Sequence, residues 1–137
     1  MKGELPKMSG DLKVQRRILI VEDDEDMREN LQRILVSAGY EVQLAQDGAD
    51  AISVLQTCAC DLVLTDLLMP RMGGLEFLTE IRRQERNLPV VFLTAFGKQA
   101  AFAKAMDLGA AGFVTKPFRA DSLLEVIREV LTDPEGE

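Results

Sequence analysis

The chain has 137 residues, 47% of them hydrophobic and 28% charged, which suits one globular domain with a real core and is too few for two comfortable ones. A net charge of −7 argues against a nucleic-acid-binding module, which needs a basic face to displace counterions from phosphate, and no run of about 18 apolar residues is present to span a membrane. Histidine is absent altogether, which removes Ser-His-Asp and Cys-His nucleophilic chemistry and leaves carboxylates, lysines and hydroxyls to carry any reaction.

Residues 1–15 are polar and aperiodic, with Pro6 and a Ser9-Gly10 pair, and read as a flexible tail without the apolar region of a secretory signal. The expected location is therefore the cytoplasm. From residue 16 the pattern sharpens into a single domain ending near 132, with 133–137 a charged tail or the start of a linker. The run Ile18 to Val21 is a short continuous apolar strand of the kind buried on both faces, and it ends in five acids, Glu22 to Asp26. Met27, Leu31, Ile34, Leu35 and Ala38 then fall at helical spacing, and Gly39 stops that helix. Asp24, Glu25 and Asp26 suit its N-terminus, where the helix dipole favours negative charge.

Tyr40 to Ala45 form the second strand, followed after Asp47-Gly48 by a helix carrying Ala49, Ile52, Val54 and Leu55. Cys58 and Cys60 follow it. Zinc wants four ligands and no histidine is available, so they read as two reduced thiols near a helix end. Asp61 to Asp66 is the third strand, and Gly73-Gly74 open a helix carrying Leu75, Leu78 and Ile81, with Phe77 beside them. Pro89 to Thr94 is the fourth strand, followed by a helix capped at Gly109. Gly112 to Thr115 is the fifth strand, trailed by Lys116-Pro117, and Asp121 to Leu131 is the last helix.

Strict alternation of apolar strands with helices predicts an α/β doubly wound fold: a parallel sheet covered on both faces, flavodoxin-like (βα)5 with strand order 2-1-3-4-5. In such sheets ligands bind beyond the carboxyl ends of the strands, at the switch point between strands 1 and 3. Strand 1 delivers Glu22 and Asp23 to that edge, strand 3 Asp66, strand 4 Thr94 and strand 5 Lys116.

Three carboxylates in one place repel one another unless a cation joins them, and an all-oxygen donor set selects Mg2+ or Mn2+ over zinc. Asp23 and Asp66 are expected to bind the ion directly, Glu22 through water, and the Leu68 backbone carbonyl to add a further oxygen. Asp66 then serves as nucleophile toward a phosphoryl group. The metal and the Lys116 ammonium would cover two phosphoryl oxygens. The Thr94 hydroxyl and a backbone N–H near Leu67 or Ala95 would cover the third.

The segments "ILIVEDD", "LVLTDLLMPRMGGLEFL", "VVFLTA" and "AGFVTKPF", in this order and each at a strand end, resemble the receiver domain of bacterial two-component response regulators over roughly Arg17 to Leu131. The resemblance implies that Asp66 takes a phosphoryl group from a phosphohistidine on a partner sensor kinase, and that the Lys116–Pro117 bond is cis. It implies a switch in which Thr94 moves toward the phosphoryl group and Phe113 turns inward. It also implies an output surface of helix 4, strand 5 and helix 5 for an output domain, a downstream protein or a homodimer. Glu22 stands where many family members have Asp, and Phe113 where Tyr is more usual. On helix 4, Ala100, Ala101, Phe102, Ala103 and Ala105 predict a small, partly exposed apolar surface. Leu68 and Phe96, two past Asp66 and Thr94, are both apolar and are expected to shield the acyl-phosphate from water.

Three other readings fit less well. A haloacid-dehalogenase type of hydrolase needs a second Asp where Leu68 stands. A flavin carrier needs a Ser/Thr/Gly-rich loop where the five acids stand. A docking-only receiver would not need the acid, Thr and Lys set.

Overall fold

The computed structural model describes residues 15–67, 69, 72–84, 87–95 and 99–132, with 99–102 described by their backbone. Five strands, β1 (Arg17–Val21), β2 (Glu41–Ala45), β3 (Leu62–Asp66), β4 (Val90–Ala95) and β5 (Gly112–Lys116), alternate with five helices, α1 (Glu25–Ser37), α2 (Gly48–Thr57), α3 (Gly74–Arg83), α4 (Gln99–Asp107) and α5 (Ala120–Thr132). All neighbouring strands are parallel, in the order β2-β1-β3-β4-β5, as the alternation predicted.

The continuous apolar strands follow from burial on both sides. Successive side chains of a strand point to opposite faces. Ile18 and Ile20 accordingly enter one core with Leu31 and Leu35 of α1 and Leu123 and Ile127 of α5. Leu19 and Val21 enter the other, against Ala51 and Leu55 of α2, Phe77, Leu78 and Ile81 of α3 and Ala105 of α4. Both layers leave the ends of the strands open, so the chemistry collects at a sheet edge.

Helix ends follow local rules. Asp24 is the N-cap of α1 and accepts from the Asp26 N–H, with Glu25 and Asp26 in the first turn. Gly39, just past α1, has φ +98°, and Gly109, past α4, has φ +89°, conformations that disfavour any residue with a Cβ.

Several side chains sit differently from the expected stripes. In α3 the buried line is Gly74, Phe77, Leu78 and Ile81, while Leu75 is only half-buried. The helix starts at Gly74, and steps of three and four from there bury Phe77 fully, while Leu75 packs against the margin of the same core. In α2 the buried line is Gly48, Ala51 and Leu55, with Ile52 and Val54 half-buried and Ala49 exposed. Ala38 is exposed because it is already the C-cap of α1. On α4, Ala103 is exposed as expected but Ala105 is fully buried. The side chains of Ala100, Ala101 and Phe102 lie outside the described residues.

Candidate functional site

The carboxyl edge of the sheet is assembled by register. β3 pairs with β1 and β4, which sets Asp66 opposite Leu93, and β4 pairs with β5, which sets Thr94 opposite Thr115 and Ala95 opposite Lys116. Glu22 and Asp23 follow directly on β1. One carboxylate oxygen from each of Glu22, Asp23 and Asp66 lies within 4.8 Å of the others.

These three acids are not equivalent. Glu22 is 2% exposed and Asp23 is exposed, because adjacent residues leaving a strand face opposite ways. Glu22 is held at every backbone atom that can bond. Its N–H donates to Ala45 O at 3.0 Å, and its carbonyl accepts from Arg28 Nη1 at 2.8 Å. Its Oε2 accepts from the Asp24 N–H at 3.1 Å. Its Oε1 is buried and, among the described residues, has no hydrogen-bond partner; the Lys116 ammonium stands 3.9 Å away. Burial raises the Glu22 carboxyl to about 7, with the charge of Asp66 adding to the rise, while the Asp24 N–H and Lys116 oppose it.

Lys116 Nζ donates to Asp66 Oδ2 at 3.1 Å and so reaches across the edge from β5 to β3. The Lys116–Pro117 bond is cis, as the resemblance implied. One ammonium thus faces two carboxylates, with a third carboxylate beside them. A buried, unpaired carboxylate oxygen is costly, and a hard divalent cation with oxygen preference is the partner this donor set suits.

The other expected residues fall in three groups. Thr94 is nearly buried at the end of β4, and its hydroxyl donates to its neighbour's carbonyl, Ala95 O, at 3.4 Å; it is not joined to Asp66. Ala95 is exposed at the strand end. The Leu67 N–H is not free for a ligand: it donates to Leu93 O at 3.0 Å, continuing the β3–β4 ladder one residue past Asp66. Phe113 is half-buried on β5 and stacks on Phe92, with ring centroids 5.8 Å apart. The expected metal-ligating carbonyl of Leu68 and the side chains of Leu68 and Phe96 lie outside the described residues.

Sequence reasoning missed Arg28. It looks like one of many polar residues on α1, yet it pins the Glu22 carbonyl; its position four after the N-cap, in the first turn behind the acids, was the available signal. Cys58 and Cys60 are free thiols, as read, with burial pushing the Cys60 thiol up to about 11.

Residues 18–128 match the response regulator receiver domain family. The chain belongs to that family. Transcriptional regulatory protein DltR of Streptococcus agalactiae serotype III (strain NEM316) is 41% identical over 112 residues, 82% of this chain and 50% of DltR. Response regulator MprA of Mycobacterium sp. (strain KMS) is 39% identical over 115 residues, 84% of this chain and 50% of MprA. This receiver domain chain therefore spans about half the length of the curated relatives it matches. Among solved structures, chemotaxis protein CheY4 of Vibrio cholerae has a TM-score of 0.82 at 32% identity, covering 86% of this chain and 100% of CheY4. The non-phosphorylated HemR receiver domain of Leptospira biflexa has a TM-score of 0.79 at 35% identity, covering 86% and 95%. Receiver domains bind Mg2+ in general, and the Glu22, Asp23 and Asp66 cluster is compatible with that ion. No helix among the described residues of this receiver domain is long and apolar enough to cross a membrane.

Proposed function

We propose that this receiver domain, residues 16–132, accepts a phosphoryl group on Asp66 from a phosphohistidine of a partner sensor kinase and uses the modification as a signal. The observation that carries this reading is the convergence of three carboxylate oxygens within 4.8 Å, with the Lys116 ammonium 3.1 Å from Asp66. An Asp66 oxygen attacks phosphorus while the bond from phosphorus to the donor's imidazole nitrogen breaks. That step needs positioning and charge neutralisation more than covalent help from the protein. Glu22, Asp23 and Asp66 would hold a Mg2+ or Mn2+ ion, with the Leu68 carbonyl as a further ligand, and such an ion supplies charge neutralisation of the phosphoryl oxygens.

Lys116 is placed to follow negative charge from the Asp66 carboxylate onto the phosphoryl group, since its Nζ already donates to Asp66 Oδ2. Thr94 and the Ala95 N–H, at the end of the adjacent strand, supply neutral donors. Reorientation of the Thr94 hydroxyl away from Ala95 O, with Phe113 moving against Phe92, is the proposed switch. It would be read on α4, β5 and α5 by an output domain, a downstream protein or a second copy. An output domain suits the half-length match to DltR and MprA, one of which is named as a transcriptional regulator. The proposed role is that of a phosphoacceptor that catalyses its own modification and slow autodephosphorylation in the cytoplasm, not that of a conventional enzyme.

The deciding experiment is incubation with acetyl phosphate and Mg2+, followed by intact mass measurement. The chain should gain one phosphoryl group, Asp66→Asn should gain none, and omission of Mg2+ should prevent the gain. Equal gain in Asp66→Asn would overturn the reading. Leu68 and Phe96, two past Asp66 and Thr94 in sequence, are the proposed tuners of the acyl-phosphate's lifetime: Leu68→Asn combined with Phe96→Glu should dephosphorylate about tenfold faster by admitting and orienting water. An unchanged decay rate would remove Leu68 and Phe96 from that role.

A further inference from the structure

Gly74, which opens α3, packs against the backbone on either side of the Asp66–Leu67 bond. The Gly74 N–H donates to Leu67 O at 3.0 Å, and a Cβ at Gly74 would stand 2.8 Å from the carbonyl oxygens of both Asp66 and Leu67. The far end of the β3–α3 loop therefore rests on the backbone of the acceptor aspartate itself. Its outer flank has a second seat, on a helix that contributes nothing to the acid cluster. Met72 lies against the first residue of α2, where a Cβ at Gly48 would meet Met72 Cγ and O at 2.9 Å and Met72 Cβ at 3.0 Å. Gly48 is not one of the positive-φ glycines, so the turn does not demand a glycine there; the close approach of Met72 does.

The seat is rigid. Asp47, 4% exposed, accepts from the Asp50 N–H at 2.8 Å, and Asp50 Oδ2 accepts in return from the Gln46 N–H at 3.1 Å. The Ala51 N–H donates to Asp47 O at 2.9 Å. With its first turn doubly capped, α2 cannot easily yield. A side chain added at Gly48 would displace Met72, and Gly74, two residues on and bonded to Leu67 O, would pass that displacement to the Asp66 backbone.

We propose that Gly48 is a positioning residue for phosphoryl acceptance, acting through Met72 to hold the loop that follows Asp66. The inference rests on the reading of Asp66 as the phosphoacceptor and extends it to a helix outside the site.

The test compares wild type with Gly48→Ala, Met72→Ala and, as a control, Gly39→Ala. At Gly39 an added Cβ meets nothing within 4 Å, and φ is +98°, so that substitution strains the fold without touching the loop. Three quantities are read on the whole chain: the thermal midpoint, the amide NMR shifts of Leu67 and Gly74 during Mg2+ titration, and the initial rate of phosphoryl uptake from acetyl phosphate. Gly48→Ala should move both shifts, raise the Mg2+ concentration at half-saturation and slow uptake about tenfold, the scale expected when a reacting group is displaced by a fraction of an ångström. Met72→Ala, which loosens the same contact from the loop side, should change the shifts, the half-saturation and the rate in the same direction by less. Gly39→Ala should lower the thermal midpoint and leave shifts, half-saturation and rate as in wild type.

Wild-type rates and half-saturation in both Gly48→Ala and Met72→Ala would overturn the proposal, as would equal slowing by Gly39→Ala. If Gly48→Ala does not fold, Met72→Ala decides by the same readings. If wild type takes up no phosphoryl group, the Asp66 reading has failed first, and the Leu67 and Gly74 shifts in Gly48→Ala still show whether the contact reaches the loop.

Discussion

The two ends of the sheet use the same kinds of residue to opposite effect. At the amino edge, Arg17 closes a network. Its N–H donates to Asp61 Oδ2 at 2.7 Å, its guanidinium pairs with Glu41 at 2.8 Å, and it also reaches Ala59 O at 3.1 Å and Cys58 Sγ at 3.4 Å. Asp61 and Glu41 each have a donor, and both are exposed to water. At the carboxyl edge, three acids cluster around one lysine among the described residues, and the most deeply buried of them keeps an oxygen with no hydrogen-bond partner there. A satisfied network of exposed charges ties strands together and contributes modestly to stability. An unsatisfied, partly buried cluster costs stability and is retained where a cation or an incoming anion completes it.

The contrast can be broken most strongly at Lys116. Lys116→Met removes the one ammonium that faces Asp66 and Glu22 among the described residues and should slow phosphoryl uptake about 100-fold, the usual cost of losing one charge-stabilising donor. Mg2+ affinity, followed by titration, should not weaken, because a competing positive charge has gone. Weakened Mg2+ binding of the same size would instead mean that Lys116 serves the metal site rather than the phosphoryl group.

Glu22 sharpens the comparison through pH. Its carboxyl is held at about 7 in the fold by burial, against an ordinary value of 4.5. The folded state therefore binds the proton more tightly than the unfolded state. Stability linked to this group is fully present below about pH 4.5 and is lost as pH rises through 7. Glu22→Gln should thus be more stable than wild type above pH 7, by something of order 2 kcal/mol, with the difference vanishing below about pH 4.5. Urea unfolding across that range checks the sign. Added Mg2+ should stabilise wild type at pH 8 more than it stabilises Glu22→Gln, since an ion bound only by the folded state adds its binding free energy. A difference that grew toward acid pH would show that the Glu22 charge is compensated in the fold after all.

The smallest effect belongs to the amino edge. Asp61→Ala removes the acceptor of the Arg17 N–H and should lower the thermal midpoint slightly, while phosphoryl uptake and Mg2+ half-saturation stay unchanged. A change in uptake would mean that the two edges communicate through β1 or β3.

Much of this molecule can be read along the chain, because its strongest determinants are local. Ile18 to Val21 is apolar at every position since both faces are covered, and a fully buried parallel strand has no polar face to alternate with. Gly39 and Gly109 end their helices because only glycine enters the left-handed region cheaply. The acids after β1, Asp66 ending β3 and Lys116 ending β5 meet because all strands run parallel and so finish at one edge. What only the tertiary structure decided are matters of facing and of distance. Glu22 and Asp23 are neighbours of similar chemistry, yet one is buried and the other exposed. The Leu67 N–H looks available until the ladder to Leu93 claims it. Phe77 is fully buried and Leu75 only half-buried once the start of α3 is placed at Gly74. Gly48 resembles an ordinary turn glycine until Met72, brought from a different crossover, is found against it. Order along a chain sets which residues reach an edge, but the pleat of a strand, the phase of a helix and the contact of two distant loops depend on packing that no local pattern encodes.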